Sequence, residues 1–345
     1  MTATSQLYRE IHEQPSSLSQ LLTCGWPQVL EAARQINTFD PAWCVIAARG
    51  TSDNAARYAK YLFGAHNQLG TALAVPSLFT LYDAPPQMDR ALTIGISQSG
   101  QSPDVVSVLV EARRQGGFTL AITNDMTSPL AQAADACIAL RTSEQSVAAT
   151  KTYTNQLLAI AMLSAAMNGD IRRIEALRAV PRAVSRALAK APVNPGRGFR
   201  ACTRFVVASR GYNYSTAFEI ALKMKETSYV LAEPYSVADL LHGPVAIIDD
   251  TFPVVLVAPT GKATENIAEL LTLLRERGAR VIAISDREDV LSAAEVGLPL
   301  PPGVPEWLSP IVSVVPGQLW ARSLAVAKRI NPDKPRGLSK VTLTL

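Results

Sequence analysis

Three charged residues, Glu219, Lys223 and Glu226, fall at i, i+4 and i+7 in STAFEIALKMKE, the spacing of one helix face. A carboxylate placed this way can move a proton, and a lysine amine can form a Schiff base with a ketone. Taken alone, the spacing equally describes a solvated stripe of ion pairs, worth roughly tenths of a kcal/mol per pair. His242 is one of three histidines, with His12 and His66, and it precedes Gly-Pro in LLHGP. Its near-neutral pKa suits acid–base work; a turn residue fits the same position. Lys340 stands five residues from the end, where a solvent-exposed lysine is the ordinary reading.

A second constellation is ISQSGQSPDVV, residues 96–106. It has no lysine, so it is no P-loop, and it lacks the three spaced glycines of a dinucleotide turn. Ser102-Pro103-Asp104 reads as a helix start, with Ser as N-cap, Pro at the first position and an acid in the first turn. TIGIS before it reads as the end of a parallel strand. Ser97, Gln98, Ser99 and Ser102 then lie where open α/β sheets bind ligands, over the positive end of a helix. Such an uncharged nest suits a phosphate monoester, while a tight turn of small residues has the same pattern.

The elements that must position these groups repeat. VIAARG (45–50) and VVASRG (206–211) are β-branched runs ending in Arg-Gly, and each is followed by a helix-like segment. LTIGIS (92–97) and LAITND (120–125) follow in the first half, FPVVLVAP (252–259) and VIAISD (281–286) in the second. The runs are apolar throughout, as parallel strands covered on both faces should be. The expectation is two tandem α/β halves, each a doubly wound parallel sheet, related by internal duplication. Residues 1–36 read as a helical lead-in, 37–190 as the first domain, 191–198 (APVNPGRG) as a linker, and 199–345 as the second domain. DIRRIEALRAVPRAVSRALAK (170–190) reads as one helical stretch, and 305–330 as an apolar one interrupted by Pro310 and Pro316.

Composition bounds the function. A net charge of +4 does not imply nucleic acid, and the apolar stretch 157–167 is too short to span a bilayer. Cys24, Cys44, Cys137 and Cys202 form no CxxC pair, so neither a disulfide framework nor a zinc site is expected. The default is a soluble, cytoplasmic protein.

GTS (50–52), SQSGQSPD (97–104), SEQSVAATKTYTNQL (143–157), ALKMKETSYVLAEPYS (221–236), LLHGP (240–244) and PRGLSK (335–340) resemble, in order, the motifs of the sugar isomerase (SIS) domain family. Within it the likeness is to the isomerase half of glucosamine-6-phosphate synthase and to stand-alone amino-sugar-phosphate deaminases and isomerases. The resemblance implies tandem flavodoxin-like domains, with Ser52, Ser97, Gln98, Ser99 and Ser102 holding a sugar 6-phosphate. It also implies that Thr51 and Val147 contact the sugar chain. Glu226 would be the base that shifts a proton between C1 and C2, with Lys223 nearby. His242 would open the ring, and Lys340 would form the Schiff base. The chain departs from the synthase pattern at Arg49 (often Cys), Ala149 (often Ser) and Leu241 (Lys in KHGP).

No Cys follows Met1 and no glutaminase-sized segment precedes the first half, so glutamine hydrolysis is not expected. The leading expectation is an amino-sugar 6-phosphate deaminase/isomerase, turning glucosamine 6-phosphate into fructose 6-phosphate and ammonia without cofactor or metal. Alternatives are amination of fructose 6-phosphate with ammonia or a partner glutaminase, a sugar-phosphate deglycase, and a non-catalytic sugar-phosphate sensor. The resemblance further implies a homodimer with composite sites, His242 reaching the partner, and neither nucleic acid nor membrane as partner. The stretches 157–167 and around Trp320 offer an interface or, equally, a core.

Overall fold

A computed structural model describes residues 5–340. The outer ends of the first and last expected segments, residues 1–4 and 341–345, lie outside the described residues. The chain groups into two compact units. The N-terminal unit comprises Ser16–Glu144, Lys151–Ala179 and the described start of Ser339–Leu345. The C-terminal unit comprises the described part of Met1–Pro15, Gln145–Thr150 and Val180–Leu338.

In the N-terminal unit, β1 (Trp43–Ala48), β2 (Thr71–Leu73), β3 (Ala91–Ile96), β4 (Phe118–Thr123) and β5 (Ala136–Ala139) form one parallel sheet in the order β2-β1-β3-β4-β5. In the C-terminal unit, β6 (Arg204–Ser209), β7 (Leu231–Ser236), β8 (Val254–Val257), β9 (Val281–Ser285) and β10 (Val296–Pro299) form a second, in the order β7-β6-β8-β9-β10. Both sheets therefore run second, first, third, fourth, fifth, the doubly wound flavodoxin-like order. The expected duplication is present. Gly50 and Gly211 follow the first strand of each with φ of 55° and 65°.

The apolar runs make these strands because both faces are covered. Val45 and Ala47 of β1 pack on Val105, Val108, Leu109 and Ala112 of the helix Pro103–Arg114. On the opposite side, the helices Trp26–Phe39 and Thr51–Asn67 pack against Lys151–Met167, which is buried from Lys151 to Ala165. In the C-terminal unit the helix Ser309–Ala327 plays the same part, with Trp320 fully buried. The two aliphatic stretches are thus core, and neither presents a free face for a partner. Pro310 and Pro316 do not interrupt Ser309–Ala327. Pro310 sits in the first turn, where no donor is needed, and packing carries the interior Pro316, whose cost is about 3 kcal/mol.

The lead-in is helical as read, in Gln6–His12, Gln14–Cys24 and Trp26–Phe39. The stretch 170–190 forms two helices, Ile171–Leu177 and Val180–Lys190, and the chain passes from one unit to the other between them. Val180, Ala183, Val184 and Ala187 bury an apolar stripe in contact with Ser309–Ala327, which draws Val180–Lys190 into the C-terminal unit. The Pro/Gly segment 191–198 also lies within that unit, where Gly196 N–H donates to Ser323 Oγ at 2.9 Å. Among the described residues no helix is long and apolar enough to cross a membrane.

Candidate active site

In the N-terminal unit the chain reverses direction of winding between β1 and β3, which pair from Trp43↔Ala91 to Ala48↔Ile96. The crevice at the carboxyl ends of these two strands is the ligand position of such sheets. Thr51 and Ser52 follow β1 in the first turn of Thr51–Asn67, and Ser97, Gln98 and Ser99 follow β3. The structure therefore brings the expected phosphate residues to neighbouring strand ends.

The loop's shape is set by its own bonds. Ser97 Oγ accepts from Gly100 N–H at 3.2 Å, Ser99 Oγ accepts from Gln101 N–H at 3.3 Å, and Gln98 C=O accepts from Asn124 N–H at 3.1 Å. Gly100 has φ 64°, and a Cβ there would lie 2.1 Å from Ser128 Oγ. Only glycine fits this approach. Ser102 caps Pro103–Arg114 in an extended conformation, but its hydroxyl makes no capping bond.

Asp104, fully buried in that helix's first turn, would repel an anion. Its Oδ2 accepts from Arg49 Nε–H at 2.6 Å, which sets a positive charge beside the same helix end. Arg49, where the synthases often have Cys, thus neutralises the crevice. Ser52 Oγ accepts from Gln156 Nε2–H at 2.8 Å. Gln156 is fully buried in Lys151–Met167, and its amide leaves the Ser52 proton available to a ligand.

Lys340 also belongs to the N-terminal unit, although it follows the second half in sequence. Its Nζ lies 3.9 Å from Glu144 Oε2. Glu144 in turn accepts from the N–H groups of Lys151 at 2.8 Å and Thr152 at 3.4 Å, at the start of Lys151–Met167. A carboxylate tied to a helix N-terminus holds the tail lysine.

In the C-terminal unit, Glu219, Lys223 and Glu226 do not form a solvated stripe. Glu219 is 0% exposed and Lys223 2%, while the Glu226 side chain keeps 20%. Lys223 Nζ lies 3.4 Å from Glu219 Oε1 and 2.6 Å from Glu226 Oε2. The helix Tyr214–Ser228 carries them against β6, β7 and Ser309–Ala327, and this packing removes the water that a stripe would need. Glu226 Oε2 is enclosed against Lys223 Nζ, so the exposed part of the side chain lies away from the ion pair. Glu226 is the most exposed member of the group.

His242 caps the short helix Val237–Leu241, with its N–H shared between the carbonyls of Ala238 and Asp239. Its side chain is exposed, and among the described residues no hydrogen bond or ion pair joins it to the Glu219–Lys223–Glu226 group. Val147 is half-buried in the Gln145–Thr150 segment. That segment is pinned by Glu10, which accepts from Gln145 N–H at 2.6 Å and Ser146 N–H at 3.0 Å. Burial raises the Glu10 carboxyl, but these bonds and those from Ser146 and Gln6 side chains bring it below its usual range.

Glu10, Glu144 and Gln156 were not singled out by the sequence. The signal for Gln156 was present: an amide one residue before an unbroken apolar helical run.

In the C-terminal unit the corresponding loop, after β8, is approached by two acids from other segments. A Cβ at Gly261 would lie 2.4 Å from Glu306 Oε1, and Thr260 N–H donates to Asp286 Oδ1 at 2.7 Å. No serine stands in this loop, unlike its counterpart after β3.

The SIS domain model matches residues 44–166 and 198–328. The glutamine–fructose-6-phosphate aminotransferase (isomerizing) of Methanothermobacter thermautotrophicus is 38% identical over 343 residues, covering 97% of this chain and 56% of that protein. The chain thus spans little more than half the length of the curated relatives it matches. A candidate phosphosugar isomerase from Silicibacter pomeroyi DSS-3 superposes with a TM-score of 0.88 at 32% identity, covering 96% of this chain and all of the other. The C-terminal domain of glucosamine-fructose-6-phosphate aminotransferase from Francisella tularensis also gives 0.88, at 27% identity over 96% and 98% of the two chains. With two SIS matches on two sheets of the same strand order, the chain belongs to the SIS domain family.

Proposed function

We propose that this protein interconverts an amino-sugar 6-phosphate and the corresponding ketose 6-phosphate, acting as a deaminase/isomerase on glucosamine 6-phosphate or a close relative. The observation that carries the reading is the graded burial of Glu219, Lys223 and Glu226, which leaves one carboxylate accessible beside a fixed ammonium. Ser52, Ser97, Gln98, Ser99 and Ser102 grip the phosphate, with Thr51 and Val147 along the sugar. His242 opens the ring. Glu226 takes the C2 proton and returns it to C1, turning the amine into an imine at C2. Lys340 displaces ammonia as a Schiff base, and water then releases the ketose and restores the amine.

A second reading, amination of fructose 6-phosphate, is favoured by the curated relatives, which are named as aminotransferases. In either direction the catalytic unit is a homodimer in which His242 serves the partner's site, in keeping with its exposure. Four free cysteines fit a cytoplasmic setting.

The test is a product assay on purified protein. Glucosamine, galactosamine and N-acetylated 6-phosphates are each supplied, and ammonia and ketose 6-phosphate are measured. Fructose 6-phosphate is supplied in parallel with ammonia or glutamine. Release of ammonia supports deamination, and amino sugar formed only in the reverse assay selects the second reading. Binding without turnover in any arm sinks the enzyme assignment in favour of a sensor.

A further inference from the structure

Arg49 stands at the start of the first of the two turns assigned to the sugar phosphate, and no other cation lies in residues 49–54 or 97–104. Its carbonyl accepts from the N–H groups of Ser52 at 3.1 Å and Asp53 at 3.3 Å, so its backbone is built into the turn that carries Ser52. Its side chain crosses to the other turn, where Nε–H donates to Oδ2 of Asp104, two residues past Ser102, at 2.6 Å. One residue of the N-terminal unit thus ties together the two strand ends at which the hydroxyls stand.

The two partners of this ion pair differ in burial. Asp104 is 0% exposed, whereas the Arg49 side chain keeps 53%. Asp104 Oδ1 accepts from Val105 N–H at 2.9 Å, so the carboxylate is fixed through both oxygens and holds the guanidinium by its Nε edge. Among the described residues this is the one hydrogen bond that the arginine side chain makes. A guanidinium has five N–H donors, and the four on Nη1 and Nη2 remain.

Charge gives these donors a use. A phosphate monoester carries about −1.5 to −2 near neutral pH. The N-terminus of Pro103–Arg114 offers roughly +0.5, which the full negative charge of Asp104 outweighs. Hydroxyls add donors but no charge. Arg49 restores a positive total, and its planar fork matches two oxygens of a phosphate.

We propose that Arg49 is itself a ligand of the substrate phosphate, gripping it through Nη1 and Nη2 while Asp104 holds Nε. The inference rests on the phosphate role proposed for the serine turns and adds a cation to that grip. It also gives a chemical meaning to the departure from the synthase pattern at this position, since a cysteine there has no charge and only a weak donor.

The experiment uses the full chain and isothermal calorimetry at constant ionic strength. The probes are inorganic phosphate and glucitol 6-phosphate, which has no carbonyl to react. Arg49→Met alone also strips Asp104 of this counter-ion, so the deciding variant is Arg49→Met/Asp104→Asn. There both charges go, and the new amide oxygen can still accept from Val105 N–H. The double variant, shown to be folded by chemical denaturation, should bind both probes at least about tenfold more weakly than the parent, as loss of charge-assisted bonds predicts. Arg49→Met should bind more weakly still, and Asp104→Asn at least as tightly as the parent. If the double variant binds both probes as the parent does, Arg49 only neutralises Asp104, and the proposal falls while the serine site stands. If glucitol 6-phosphate weakens and inorganic phosphate does not, the arginine touches the sugar, which overturns the proposal as well. No binding by the parent, or binding that Ser97→Ala leaves unchanged, would sink the serine site and this inference together.

Discussion

Glu226→Gln replaces one oxygen by an amide nitrogen and removes one charge, and the structure sets what each change costs. Lys223 keeps Glu219 at 3.4 Å, so its buried ammonium still has a counter-ion, and the new amide oxygen can still face Nζ. Because the Glu226 side chain is 20% exposed, the lost ion pair should cost only about 1–2 kcal/mol of stability. Catalysis should suffer more. A general base contributes about 10²–10⁴-fold, which adds roughly 2.7–5.5 kcal/mol to the barrier when it is lost. Glu219→Gln is the matched control. Its carboxylate is fully buried, so the variant should lose about 2–3 kcal/mol of stability and keep proton transfer within tenfold. The assay is exchange of the sugar's C2 hydrogen with D₂O, followed by NMR, alongside chemical denaturation of both variants. If Glu226→Gln exchanges that hydrogen at the parental rate, the assigned base is wrong. If Glu219→Gln abolishes exchange without loss of stability, the roles are reversed.

Gly100→Ala must adopt φ near 64° and push past Ser128 Oγ, costing about 1–2 kcal/mol for the backbone alone, and should raise KM for the sugar phosphate at least tenfold with kcat little changed. An unchanged KM in initial-rate kinetics would move the phosphate elsewhere. His66 is held at a pKa of about 4, by burial first and then by Arg173, against 6.5 unfolded. The unfolded chain therefore binds the extra proton first, so this group's contribution is complete above pH 6.5 and falls by about 3 kcal/mol as the pH drops towards 4. Denaturation midpoints over that range should lose this slope in His66→Gln. Mixing Glu226→Gln with His242→Ala subunits should restore about a quarter of parental activity, since half the dimers are mixed and each carries one intact site. No recovery after demonstrated subunit exchange would mean that His242 serves its own chain or none.

The six strands read from the sequence are the three central strands of each sheet, and the four it missed are the edges. β1, β3, β4, β6, β8 and β9 are buried on both faces and so spell unbroken apolar runs. β2 and β5 are short, β10 is half-exposed, and β7 carries Glu233 and Pro234, which an edge tolerates and a centre does not. The serine loop after β3 was legible because a strand end, a helix cap and small polar residues coincide within a few positions. The burial of Glu219 and Lys223 was not legible, because it depends on contact with Ser309–Ala327, which lies far along the chain. Glu144 and Glu10 were hidden for the same reason: each acts on backbone groups that only the fold brings near. The passage of the chain between units at Val180 was hidden because 170–190 reads as one helical stretch, whereas Pro181 lies at the start of a second helix, Val180–Lys190.

The loop beside Gly261 bears on how a doubled protein divides its labour. Two copies of one sheet begin with two equivalent places to hold a ligand. Glu306 and Asp286 approach the loop at the second, which holds no serine, so the proposed phosphate grip draws on the first alone. The first helix of the second copy carries the buried Glu219 and Lys223 with Glu226. The matching helix of the first copy, Thr51–Asn67, carries instead the partly exposed Asp53–Arg57 pair, at 3.0 Å. Two copies of one sheet thus hold unlike groups, hydroxyls at the strand ends of one and a buried charged trio on a helix of the other.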